Sequence, residues 1–173
     1  MKPAKVLVVD WPWKFGDSLP GNGRGAEKHY PCMHYTEAGI FPLPKISRNC
    51  VLFFWRVASM QAEALWIINE WGFELKSEIV WDKRTKTGKR HFGMGRTVRA
   101  AHEVCLIATR GKPQVKTKSQ RSVFEAEVGR HSAKPDRFYE IVEEMFAGPY
   151  AELFARRQRP GWQCHGNQLE GAS

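Results

Sequence analysis

The chain has 173 residues, 42% hydrophobic, 12% aromatic and 26% charged, with a net charge of +9. This is the balance of an ordinary soluble globule, long enough for one domain over residues 1–173 with a sizeable core. No run approaches the roughly 18 apolar residues of a membrane span, and Met1 to Asp10 leads straight into an apolar strand without a secretory pattern, so a cytoplasmic location is expected. Four cysteines (Cys32, Cys50, Cys105 and Cys164) lie far apart, and none forms a C-x-x-C pair. His29, Cys32 and His34 are the nearest approach to a metal site. No second cluster completes it, so free thiols and no metal are expected.

Taken in chain order, residues 4 to 9 form a β-branched run ending at Asp10 and read as a buried strand. Residues 14 to 35, with Gly16, Pro20, Gly21, Gly23, Gly25 and Pro31, read as a long functional loop whose Gly21 to Gly25 stretch is a lid rather than a phosphate cradle. Residues 50 to 55 are a second strand. Ser59 then reads as the N-cap of a helix carrying Ala64, Leu65, Ile67, Ile68 and Trp71 on its apolar face, ended by Gly72. Residues 75 to 81 form a third strand, and a basic loop follows. Glu103 to Thr109 is a fourth strand, closed by Gly111 and Pro113. The clearest helix spans 135 to 147, with Phe138, Ile141, Val142 and Met145 on one stripe and Gly148-Pro149 as its stop. Ala151 to Phe154 is a further strand, and Trp162 to His165 offers another. Strands alternating with helices imply an α/β sheet with ligands at the carboxyl ends of its strands, where Asp10 and Arg156 fall.

Charge is concentrated. Residues 82 to 121 hold 12 of the 27 Lys and Arg against two acids, Asp82 and Glu103, so this segment carries +10 and the rest of the chain −1. A polyanion is the simple partner, with Lys83, Arg84, Lys89, Arg90, Arg96 and Arg99 as candidate substrate contacts; a solvated basic face is the alternative.

Asp10-Trp11-Pro12-Trp13 follows the first strand. An exocyclic amine on a base is a poor nucleophile because its lone pair is delocalised into the ring. Accepting hydrogen bonds from both amine hydrogens draws the nitrogen toward a tetrahedral geometry. The Asp10 carboxylate and the Trp11 carbonyl can do this, with Pro12 stiffening the turn and Trp13 offering a face to a base taken out of its stack. Taken alone, the four residues also read as a strand-ending turn of aromatic core side chains.

Further blocks accompany the motif: Leu52-Phe53-Phe54-Trp55, Glu78-Ile79-Val80-Trp81, Gly95-Arg96, His102-Glu103-Val104-Cys105-Leu106, Gly111-Lys112-Pro113, His131 to Asp136, Glu152 to Arg156, Trp162 and Gly166-Asn167-Gln168. With them the chain resembles, over nearly its whole length, the MT-A family of adenine N(6)-methyltransferases, whose motif is Asp-Pro-Pro-Trp. The resemblance implies a Rossmann-like, S-adenosylmethionine-dependent methyltransferase fold in permuted order, with the catalytic motif first and the cofactor-binding motifs near the C-terminus. It implies Tyr30 near the target adenine and Lys134 at the carboxylate of S-adenosyl-L-methionine. It places Asp10, Glu152, Leu153, Phe154, Arg156, Asn167 and Gln168 around the rest of that cofactor. Without it, Lys134 is a surface residue at a helix start, Arg156-Arg157 a solvated pair and Asn167-Gln168 a polar tail. The chain departs from the pattern at Trp11, which replaces a proline and brings an amide hydrogen and looser φ.

The expected function is therefore methyl transfer to the exocyclic amine of adenine in DNA, with RNA as the close variant, as in a bacterial or phage enzyme of modification or anti-restriction type. A homodimer is a further expectation from the resemblance, which implies a family that often works as dimers, with the loop between residues 82 and 100 as a candidate contact that shares this role with substrate binding. Two other classes remain: a catalytically degenerate, nucleic-acid-binding partner subunit, and a small-molecule amine methyltransferase, which has no use for the +10 segment.

Overall fold

The computed structural model describes residues 2–14, 32–95, 97–129 and 133–166. Its frame is one sheet of seven strands: β1 (Ala4–Asp10), β2 (Ile46–Arg56), β3 (Glu74–Arg84), β4 (His102–Arg110), β5 (Val123–Glu127), β6 (Tyr150–Leu153) and β7 (Trp162–His165), in the order β5-β3-β4-β2-β1-β6-β7. All neighbours pair in parallel except β4, which runs antiparallel to both β2 and β3. The start of β4 therefore lies at the edge where the other strands end.

The central strands are apolar on both faces, as expected of strands covered from both sides. In β1, Leu7 and Val9 join one core cluster and Val6 and Val8 the other; in β2, Leu52 and Phe54 oppose Val51, Phe53 and Trp55 in the same way. Helix α1 (Gln61–Glu70) covers the first face with Ala64, Ile67 and Ile68. Helix α2 (Asp136–Met145) covers the second with Phe138, Ile141 and Val142. Phe138 is fully buried among the rings of Phe53, Trp55, Phe124 and Tyr139.

Several boundaries differ from the sequence reading. Ser59 is not the N-cap: it lies inside a 3-10 turn, Ala58–Met60, and Met60 caps α1 without a side-chain hydrogen bond. The other end is as expected. Gly72 has φ +73°, its N–H donates to the Asn69 carbonyl at 2.9 Å, and the Phe73 N–H donates to the Ile68 carbonyl at 3.0 Å, a Schellman closure that needs the left-handed residue. Pro135 occupies the N-cap of α2 rather than its first turn. β6 stops at Leu153, because Phe154 turns the chain away with φ +59°. β5 was missed: it is a five-residue edge strand with one buried residue, Phe124, and so carries almost no apolar signal. The basic loop is shorter than expected because β3 runs on to Arg84. The Gly21 to Gly25 lid lies outside the described residues. No disulfide joins any of the four cysteines, and no group of metal-ligating side chains occurs among the described residues.

Candidate active site

β1 sits where the sheet's connections diverge, with β2 on one side and β6 on the other. In an α/β sheet this switch point leaves a crevice outside the strand ends. Here it holds a cavity of about 610 Å³. Asp10 closes β1 at its floor, Trp55 and Arg56 come from the end of β2, Lys83 from the end of β3, Glu103 from the start of β4, and Phe154 and Arg156 from just past β6. Strand direction alone collects these residues, which are distant in sequence.

Lys134 lies two residues before α2, and its side chain is 9% exposed. This overturns its reading as a surface residue. Its ammonium sits 3.2 Å from Asp10 Oδ2, 2.9 Å from Glu103 Oε2 and 4.9 Å from the centre of the Trp55 ring. Glu103 Oε1 in turn accepts from Lys83 Nζ at 2.5 Å. Burial by itself would push Lys134 toward its neutral form, but Asp10 and Glu103 outweigh it and hold the amine above the ordinary lysine range. Burial likewise raises Glu103, and the two lysines overcome it, holding its carboxyl below the usual range. Two carboxylates and two ammonium groups thus form one nearly neutral, largely buried cluster. Glu103 was not singled out from sequence. Its signal was there: it is one of only two acids in a segment of +10, directly before the apolar run Val104 to Ala108.

The motif itself is held by its own turn. The Trp13 N–H donates to the Trp11 carbonyl at 2.9 Å, and Met33 brackets the turn by donating to the Pro12 carbonyl at 2.7 Å and accepting from the Lys14 N–H at 3.1 Å. Trp11 is 1% exposed and packs edge-on against Phe41, Trp71 and Phe154. The residue that replaces proline therefore anchors the turn through its side chain instead of its φ. Trp13 departs from expectation. It lines the cavity, but it is only 5% exposed, held under the Met33 bridge and edge-on to Phe54, so it is core as much as platform.

The other expected site residues divide. Phe154 and Arg156 line the cavity. Leu153 does not; it is 2% exposed in the core on the α1 face. Glu152 is buried and accepts a hydrogen bond from the Tyr139 hydroxyl at 2.6 Å. Burial raises its carboxyl above the usual range; the Tyr139 bond opposes this and the Asp10 charge adds to it. Of the basic contacts, Lys83 is committed to Glu103 and Arg84 to Asp82 and Glu125, so neither is spare for a phosphate; Arg90 touches Asp82 at 3.4 Å. Lys89 is exposed, and Arg99 is exposed at the cavity's rim. Tyr30, Arg96, Asn167 and Gln168 lie outside the described residues.

A sheet of this order, with one reversed strand and its crevice at the β1–β6 divide, is a Rossmann-like methyltransferase fold. The MT-A70 family model matches residues 4–168, and the chain belongs to that family. It is 30% identical over 172 residues to the putative N(6)-adenosine-methyltransferase MT-A70-like of Medicago truncatula, which covers 96% of this chain and 26% of that protein. It is 31% identical over 173 residues to the N(6)-adenosine-methyltransferase catalytic subunit METTL3 of Homo sapiens, covering 96% of this chain and 28% of that one. To the type II methyltransferase M.MunI of Mycoplasma sp. it is 26% identical over 189 residues, covering 97% of this chain and 78% of that enzyme. The chain thus spans only 26–28% of the first two relatives. No described helix is long and apolar enough to cross a membrane.

Proposed function

We propose that this chain is an adenine-N(6) methyltransferase that takes its methyl group from S-adenosyl-L-methionine and acts on nucleic acid, with DNA as the preferred substrate. The observation that carries the reading is the Asp10 carboxylate lining the switch-point cavity, steadied by a buried lysine. The sheet unites strands from both ends of the described chain, which supports one methyltransferase domain. The likeness to a type II methyltransferase over 78% of its length supports the DNA preference.

The residues fit the cofactor. Lys134 is a buried cation with three donors, two of them directed at Asp10 and Glu103, so one remains for a carboxylate. Asp10 and Glu103 suit an ammonium or sulfonium, and Phe154 and Arg156 suit a flat base and hydroxyls. S-adenosylmethionine supplies an electrophilic methyl group on a sulfonium.

The chain's own residues then do three things. Asp10 accepts one amine hydrogen of the adenine. The Trp11 carbonyl uses one lone pair for Trp13 and offers the other to the second hydrogen, so the amine nitrogen points its lone pair away from both. Lys134 holds the Asp10 carboxyl in place, so that no reorganisation is needed during transfer. After methylation the extra amine proton can leave to solvent, and no histidine is required.

The test is transfer of labelled methyl to DNA, with matched RNA and adenine-free DNA alongside, followed by nucleoside mass spectrometry. N(6)-methyladenine from DNA that falls to background with Asp10→Ala is the expected result. Product from RNA alone would reassign the substrate. No transfer to either polymer, with binding retained, would make the chain a partner subunit.

A further inference from the structure

The segment after β3 doubles back at the rim of the cavity. The Thr85 N–H donates to the Lys89 carbonyl at 2.8 Å, and Arg84 pairs with Arg90 in an antiparallel bridge. Lys83 then ties both arms to the site: its carbonyl accepts from His91 at 2.8 Å and its N–H donates to Ala101 at 2.9 Å. Between those arms the chain folds on itself a second time, the Gly93 N–H donating to the Ala100 carbonyl at 3.0 Å. A Cβ on Gly93 would come within 2.4 Å of the Ala100 oxygen, and one on Gly95 within 2.0 Å of the Val98 oxygen. Only glycine allows these close approaches of Gly93 to Ala100 and of Gly95 to Val98, on an arm anchored on a cavity residue.

That tip carries what a soluble surface ordinarily hides. Phe92 is 75% exposed, Met94 91% and Val98 75%. Met94 and Val98 also line the rim of the cavity that contains Asp10. The Arg99 guanidinium lies 5.2 Å from the centre of the Phe92 ring, and Lys86, Lys89 and Arg90 stand exposed on the arm before it. An apolar point inside a strongly cationic segment excludes most occupants. A second copy seated on this tip would bring the exposed Lys86, Lys89, Arg90 and Arg99 against the same four cations. A polyanion with an apolar interior, a stacked nucleic-acid duplex, satisfies both halves: phosphates for the cations and base faces for the tip.

We propose that the tip at Phe92, Met94 and Val98 is a wedge that enters the base stack of a duplex and occupies the gap left when the target base swings into the cavity. The inference rests on the reading of the cavity as an adenine site. An amine cannot reach Asp10 from inside a duplex, and the cost of unstacking is offset if apolar side chains replace the lost base contacts. Phe92 does not line the cavity and stays clear of the chemistry, so it can be varied without touching the reacting groups.

The experiment compares Phe92→Ser, Phe92→Leu and the unaltered chain on one mixed-sequence DNA duplex, on its separated strands, and on a duplex whose adenines face abasic sites. Methyl transfer is one readout; fluorescence of 2-aminopurine placed in the duplex, which rises on unstacking, is the other. Phe92→Ser should lower transfer to the duplex by about tenfold or more relative to the single strands, and the abasic duplex should recover most of the loss. Phe92→Leu should stay near the unaltered chain, and only Phe92→Ser should fail to raise the fluorescence. Equal loss on duplex and strands, no loss, action of the unaltered chain on single strands alone, or a change in sedimentation in place of a change in duplex activity would each overturn the wedge. If the unaltered chain transfers no methyl group, the fluorescence decides alone: a rise that Phe92→Ser abolishes upholds the wedge while the methylation reading fails, and no rise overturns the wedge.

Discussion

Glu103 touches both lysines of the site, one with each oxygen. Removing a partner from a largely buried ion cluster leaves charge that water cannot reach, which costs more than the pair contributes. Glu103→Ala should therefore destabilise the fold by roughly 3 kcal/mol, measured by urea unfolding. A loss below about 1 kcal/mol would mean that solvent already compensates Lys134 and Lys83, as at exposed pairs. Trp11 illustrates the opposite case, a residue whose chemistry was readable while its packing was not. Its carbonyl was assigned to the amine from position alone. That its indole fills the space among Phe41, Trp71 and Phe154 depends on three elements meeting over β1.

At the scale of elements, α2 sets the position of Lys134. The helix was legible because Phe138, Ile141 and Val142 repeat at helical spacing, and all three are buried on the sheet. Its docking then fixes the backbone two residues upstream. Phe138→Ala should cost about 4 kcal/mol in chemical denaturation, since it removes a ring in contact with four others. It should also weaken binding of S-adenosylmethionine measured by calorimetry, because Lys134 loses its anchor. Unchanged affinity with lowered stability would show that Lys134 is positioned by its ion pairs alone. β5 lay beyond the reach of sequence for the converse reason. Edge strands bury one face, and Phe124 is the single residue here that reports it.

For the whole molecule, the twelve Lys and Arg of residues 82 to 121 are not all available to a partner, since Asp82, Glu103 and Glu125 from three different strands claim Lys83 and Arg84. What remains exposed is Lys86, Lys89, Arg90 and Arg99 on the arm and tip beyond β3, and Arg110, Lys112, Lys116, Lys118 and Arg121 at and past the end of β4. The same cluster gives stability a pH window. Glu103 is held below its ordinary value, so its contribution is present above the unfolded carboxyl range and lost as pH falls through the lowered folded value. Lys134 is held above its ordinary value, so its contribution is present below the unfolded lysine range and lost as pH rises through the raised one. Glu152 and the buried Cys50 and Cys105 thiols, all held above their ordinary values by burial, work the other way: each takes stability away as pH rises from its unfolded range through its raised folded value. Glu103→Gln should show a shallower acid limb than the unaltered chain; identical acid limbs would assign the acid loss to other carboxylates.

The sequence by itself determined the strands with continuous apolar runs, both helices, the motif at the end of the first strand and the family resemblance, because periodicity, punctuation by glycine and proline, and a contiguous motif are local properties. Tertiary structure decided which charges meet. Lys134 changed from an exposed lysine to a buried one, Glu103 became part of the site, Trp13 moved into the core and Leu153 turned away from the cavity. The meeting of Glu103 with Lys134 and Lys83 depends on strand order and on the reversal of β4, which brings the start of one strand beside the ends of its neighbours. No spacing along the chain encodes that neighbourhood; it follows from burying both faces of one sheet.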